Sequence, residues 1–102
     1  MIMLEFSLMP LDQGPDIGEH VARSLEIVAA SGVDYRLGPM GTVLEGEWDE
    51  VFAIVKRCAE RASQDCERVT LAIKVDSRRG AGPRLAGRVA EVERRLGRKL
   101  QS

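Results

Sequence analysis

Residues Pro39-Met40-Gly41-Thr42-Val43-Leu44-Glu45-Gly46-Glu47-Trp48-Asp49-Glu50 constrain this chain more than any other stretch. They hold a turn, a short alternating strand, a second glycine and a helix start. Such a run is the return arm of a β-hairpin that feeds directly into a helix. In a chain of 102 residues it leaves room for one domain, residues 1–102, with a single modest core.

The rest of the chain fits around that arm. Ile2, Leu4, Phe6 and Leu8 alternate with Met3, Glu5, Ser7 and Met9, which predicts a first strand with one apolar and one mixed face. Pro10 and Gly14-Pro15 end it. Asp16-Ile17-Gly18-Glu19 has the form of a capping box. Ile17, Val21, Leu25 and Val28 then follow at helical spacing, with Ser24 beside them, until Gly32. Val33–Leu37 reads as a second strand, Gly38-Pro39 as a turn and Gly41–Glu45 as the third strand, broken by Gly46. A helix from about Trp48 carries Val51, Val55, Cys58 and Ala62 on one stripe, with Phe52 and Ala59 beside it. Arg68–Asp76 alternates again as a fourth strand, with Val69, Leu71, Ile73 and Val75 toward the helices. After a glycine-rich basic loop, Leu85, Val89, Val92 and Leu96 mark a last helix.

Strand, helix, strand, strand, helix, strand is the ferredoxin-like order. The expected fold class is α+β: a βαββαβ unit with a four-stranded antiparallel sheet, helices on one face and an extra C-terminal helix. The opposite face then presents Met3, Glu5, Ser7, Met9, Thr70, Ala72 and Lys74. This mixture suits a sheet that packs on another subunit and leaves polar groups around a pocket. Glu5 and Lys74 share that face. They read either as an ion pair at an interface or as a carboxylate and an ammonium aimed at a small ligand. Trp48 reads either as a packing lid or as a stacking surface for a flat ring. Met40 is deformable enough for either role.

Generic chemistry is sparse. His20, the sole histidine, falls on the predicted polar side of its helix, so neither a triad nor a histidine metal site has support. Cys58 and Cys66 lack zinc-ligand spacing and read as reduced cysteines, with a structural disulfide as the alternative. No phosphate loop or dinucleotide fingerprint occurs. The expectation is no catalytic residue, no metal and no cofactor. Charge is uneven: residues 1–50 hold ten acids and two bases, and residues 77–102 hold eight bases and two acids. That asymmetry fits solvated faces and subunit contacts, or nucleic acid. The N-terminus lacks a signal-peptide pattern and no apolar run is of membrane-spanning length, so a cytoplasmic protein is expected.

Three motifs carry a family resemblance: Glu5-Phe6-Ser7, the stretch from Pro39 to Glu50, and Ile73-Lys74-Val75-Asp76-Ser77-Arg78. In order and spacing they resemble the small thiamine-binding (YkoF-like) family. The resemblance implies a ferredoxin-like fold and no catalytic cycle. It also implies dimers formed through the sheets that assemble as dimers of dimers, giving a homotetramer. The implied ligand is thiamine or its hydroxymethylpyrimidine part, bound at the sheet or subunit interface by Glu5, Ser7, Met40, Gly41, Thr42, Trp48 and Lys74. One departure is the loop from Ser77 to Pro83, which is arginine-rich where relatives are more acidic or lysine-rich. The alternative function is a structural homo-oligomer with no retained ligand. RNA binding ranks third, because Phe6 is predicted on the helix-covered side of the sheet. Acylphosphatase chemistry is excluded, since the chain has no Asn. The expected partners are therefore a thiamine-like pyrimidine and further copies of the chain, with no nucleic acid and no membrane.

Overall fold

In the computed structural model, which describes residues 1–12, 14, 17–80 and 82–102, the elements run β1 (Ile2–Pro10), α1 (Gly18–Ala30), β2 (Asp34–Leu37), β3 (Thr42–Gly46), α2 (Trp48–Ser63), β4 (Val69–Ser77) and α3 (Gly87–Leu96). The strands form one antiparallel sheet in the order β2-β3-β1-β4. This is the ferredoxin-like arrangement expected from the element order.

One sheet face builds the core. Leu4 lies opposite Leu44 on one side and Val75 on the other, and Phe6 lies between Thr42 and Ile73. The apolar half of the β1 alternation therefore meets α1 and α2. Ile2, Leu4, Phe6, Leu44, Val28, Val51 and Cys58 are buried there. β4, however, is an edge strand. Leu71 and Ile73 share the helix-side face yet are 39% and 42% exposed, because no strand lies beyond β4 to flank them.

Three local expectations shift. The proposed capping residue Asp16 lies outside the described residues; α1 begins at Gly18, and Ile17 caps it without a side-chain hydrogen bond. The buried line of α1 is His20, Ser24 and Val28, with Leu25 and Ile27 packed at its margin. His20 is thus buried rather than on the surface, with its Nδ1 3.8 Å from the Sγ of buried Cys66. Apolar spacing on α1 is broad enough to allow either rotation, and contact with the end of α2 selects this one. Finally, β3 runs from Thr42 to Gly46, one residue later than expected at each end, with Gly46 as its last residue, paired with Ile2. A Cβ at Gly46 would lie 2.6 Å from Glu50 Oε1 and 3.2 Å from Val51 Cγ1, so glycine lets α2 start hard against the strand. At the far end of α1, Gly32 adopts φ +87°, the left-handed conformation that stops a helix.

Candidate functional site

The second sheet face is organised lengthwise. At the end where Ile2 pairs with Gly46 and Ser77, the chain after β4 folds back over the sheet. Glu45, only 5% exposed, accepts the backbone N–H groups of Arg84 at 2.6 Å and Leu85 at 3.1 Å. Asp76 Oδ2 accepts Arg84 Nη1 at 3.2 Å and Arg88 Nη1 at 2.5 Å. One strand residue on each side of β1 thereby clamps the approach to α3. Sequence reading did not single out Glu45, Arg84 or Arg88. Their only signal was the acidic–basic asymmetry between the two ends of the chain.

Beyond this clamp the sheet is open. Glu5 on β1 lies opposite Lys74 on β4 and Val43 on β3. Ser7 lies two residues further along, opposite Ala72. The β2–β3 turn, closed by a hydrogen bond from Gly38 N–H to Gly41 O at 2.9 Å, carries Met40 to the same place. Glu5, Ser7, Met40, Ala72 and Lys74 together line a cleft of about 120 Å³. Met40 is 88% exposed and overhangs it. Among the described residues no ion pair joins Glu5 to Lys74. Each therefore keeps its hydrogen-bonding capacity: acceptors on the carboxylate, donors on the ammonium.

The other expected site residues divide. Gly41 backs the cleft: a Cβ there would lie 3.1 Å from Phe6 O and 3.4 Å from Glu5 Cγ, so its lack of a side chain lets the turn reach β1. Thr42 is opposite Phe6, which puts its side chain on the helix-covered face, where it is buried. There it lines a separate, largely apolar pocket of about 150 Å³ with Leu25, Leu37 and Pro39. The two hollows lie back to back across β1 and share Phe6, Ser7 and Met40. Trp48 is not brought to either. It follows Gly46, whereas Met40 precedes Thr42, so the length of β3, roughly 14 Å, separates them. Trp48 stacks on Phe52, with centroids 5.8 Å apart and planes 4° from parallel. Residues Glu5, Ser7, Met40, Gly41 and Lys74 thus form one group; Thr42 adjoins it from behind, and Trp48 stands apart.

Elsewhere the titratable groups read as structural. Burial pushes the Cys58 and Cys66 thiols up, away from the thiolate form that nucleophilic or redox cysteines need. Neither is in a disulfide. Asp65 joins α1 to α2 through Arg23 at 2.8 Å and Arg61 at 2.9 Å, and the Arg61 hydrogen bond holds its carboxyl below the usual range. Among the described residues, no three His, Cys, Asp or Glu side chains gather to hold a metal, and no helix is long and apolar enough to cross a membrane.

Comparison with known proteins places this geometry. Residues 4–93 match the model of the family described as thiamine-binding protein. A UPF0045 protein of Mycobacterium bovis is 39% identical over 96 residues, covering 93% of this chain and 94% of the relative. A Bacillus cereus domain of unknown function superposes with a TM-score of 0.80 at 32% identity, over 88% of each chain. A Thermotoga maritima protein whose descriptive name links it to thiamine biosynthesis and salvage superposes with a TM-score of 0.79, over 89% of this chain and 97% of its own. At 24% identity it shows the shared fold alone. With nearly its whole length matched by the family model, this chain belongs to the thiamine-binding protein family.

Proposed function

We propose that the protein is a non-catalytic binder of an aminopyrimidine, either thiamine or its hydroxymethylpyrimidine part, held in the open-face cleft. The observation that carries this is the convergence of Glu5, Ser7, Met40 and Lys74, from two strands and a turn, around one hollow. An aminopyrimidine offers an amino donor and ring-nitrogen acceptors. Glu5 accepts from the amino group, while Ser7 and Lys74 donate to the ring edge. Met40 closes over the ring as a flexible apolar flap. Gly41 positions that flap, and Thr42 supports the strand from behind.

A cleft this shallow is completed by a second copy. The exposed mixture on this face supports pairing through the sheets, and the unpaired edge of nine-residue β4 supports further assembly toward a tetramer. The reading includes a cytoplasmic location. It does not extend to single-stranded nucleic acid, which such sheets bind by stacking bases on aromatics. Phe6 is buried on the other face, Tyr35 lies opposite Leu44 on that same helix side, and Trp48 and Phe52 are on α2.

Titration calorimetry with thiamine and with hydroxymethylpyrimidine tests the proposal. Saturable binding is expected, weakened by Glu5→Ala about tenfold to a hundredfold, the range of one charge-assisted hydrogen bond. Binding unaffected by Glu5→Ala sinks this site. Loss on Trp48→Ala instead would mean that the pocket draws on the α2 end of a second copy. No heat with either ligand, from folded protein, sinks the function.

A further inference from the structure

The cleft does not stop at Lys74. Glu5 and Lys74 also line a second hollow of about 280 Å³, whose far wall is Asp76, Leu85 and Arg88. Asp76 and Arg88 in turn line a groove of about 890 Å³ between the end of β4 and α3, where Arg78 and Arg95 join them. The three hollows make one path along β1 and β4, with a carboxylate at one end and arginines at the other. Glu5 faces Lys74, and Met3 faces Asp76 two residues away, so the step from the Glu5 end to the Asp76 edge of the groove is roughly 7 Å.

The arginine end is positive and held in place. Arg78, Arg84, Arg88 and Arg95 line it against Asp76 and Glu91. Asp76 holds Arg88 through Nη1, and Glu91 holds Arg95 through Nε at 2.8 Å. A guanidinium has five N–H donors, so each of these two keeps others for a ligand. Among the described residues no hydrogen bond or ion pair engages the Arg78 side chain. Planar donors fixed by carboxylates and still unfilled are what a phosphate monoester needs. A cationic ring beside Lys74 and Arg88 is disfavoured on the same path; a neutral ring with an anionic tail is matched to it.

We infer that the groove is the phosphate subsite of the same cleft, and that the preferred ligand is a phosphorylated aminopyrimidine with its ring at Glu5 and its phosphate at Arg78, Arg88 and Arg95. The inference rests on the pyrimidine reading above.

Calorimetric titration with hydroxymethylpyrimidine and with its phosphate ester separates the two claims. The ester is expected to bind about tenfold or more tightly at low salt. That ratio should fall several-fold in Arg78→Glu and in Arg95→Glu, and again at high salt, because surface charges are screened. Arg78 has no partner to lose, so its variant keeps the fold. Equal affinity for the two forms overturns the phosphate subsite and leaves the pyrimidine reading standing. A preference for the ester that survives both substitutions puts the phosphate elsewhere and overturns the groove. Binding of neither form overturns both readings.

Discussion

The two faces of the sheet share the same strands and differ in almost everything else. On the helix side, Leu4 and Leu44 have no exposed surface and sit within a cluster of buried apolar side chains. On the other side, each one residue along its strand from a residue of the covered face, Glu5 and Lys74 are exposed and unpaired. One residue of chain, a step of about 3.4 Å, moves a side chain from one environment to the other. The covered face holds the fold together, and the open face is therefore free to carry polar groups whose partners lie outside the chain.

Four changes break or sharpen this contrast, in falling order of effect. Leu44→Ala opens a void at the centre of the covered face and should cost about 2–5 kcal/mol, read as a lowered urea midpoint with unchanged slope. A loss under 1 kcal/mol would mean that the core lies elsewhere. Glu45→Ala is the exception on the open face, because this buried carboxylate receives the Arg84 and Leu85 N–H groups. It should cost about 1–3 kcal/mol and act locally. Amide exchange of residues 84–96 should accelerate while β1 and β3 stay protected; uniform acceleration would instead place Glu45 in the core. Glu5→Ala should leave stability within about 0.5 kcal/mol while weakening ligand binding, the opposite pattern to Leu44→Ala. A large stability loss would make Glu5 a structural residue.

The smallest effect concerns pH. The Asp65 carboxyl, held below its ordinary range first by its hydrogen bond from Arg61 and then by the nearby charges, favours the folded state when ionised. Its contribution is present in full above the unfolded value, near 4, and is lost as pH falls through the lower folded value. Asp65→Asn should remove that part of the acid dependence by slightly lowering stability at neutral pH, so that the variant and the unaltered protein converge in acid. An acid limb identical to that of the unaltered protein would show that the tie between α1 and α2 has no weight.

Much of this was legible in the chain itself. The period-two runs in β1 and β4 assign every residue to a face correctly, and the turn–strand–helix grammar from Pro39 to Glu50 places β3 and α2 within a residue or two. The resemblance carried by the same segments names the family that the comparisons show. Within the site, parity alone brought Glu5, Ser7 and Lys74 to one face, and the hairpin turn added Met40 and Gly41.

Periodicity says which side chains share a side, because it is a property of local backbone geometry. It does not say how deeply each is covered, because that depends on which distant element lies against it. Leu71 and Ile73 follow the same pattern as Leu4 and Phe6 yet stay half-exposed, since strand order makes β4 an edge. His20 sits in a helix whose spacing permits two rotations, and only packing on α2 buries it. Trp48 is eight residues from Met40 in sequence, but the extended strand between them holds the two apart. Glu45 looks like any surface acid until the chain after β4 returns to meet it. The sequence by itself determined the elements, their order and the faces of the sheet, all set by interactions within a few residues. Only the tertiary structure decided depth, edges and the joining of the cleft to the arginine groove, since those depend on contacts between residues some forty positions apart.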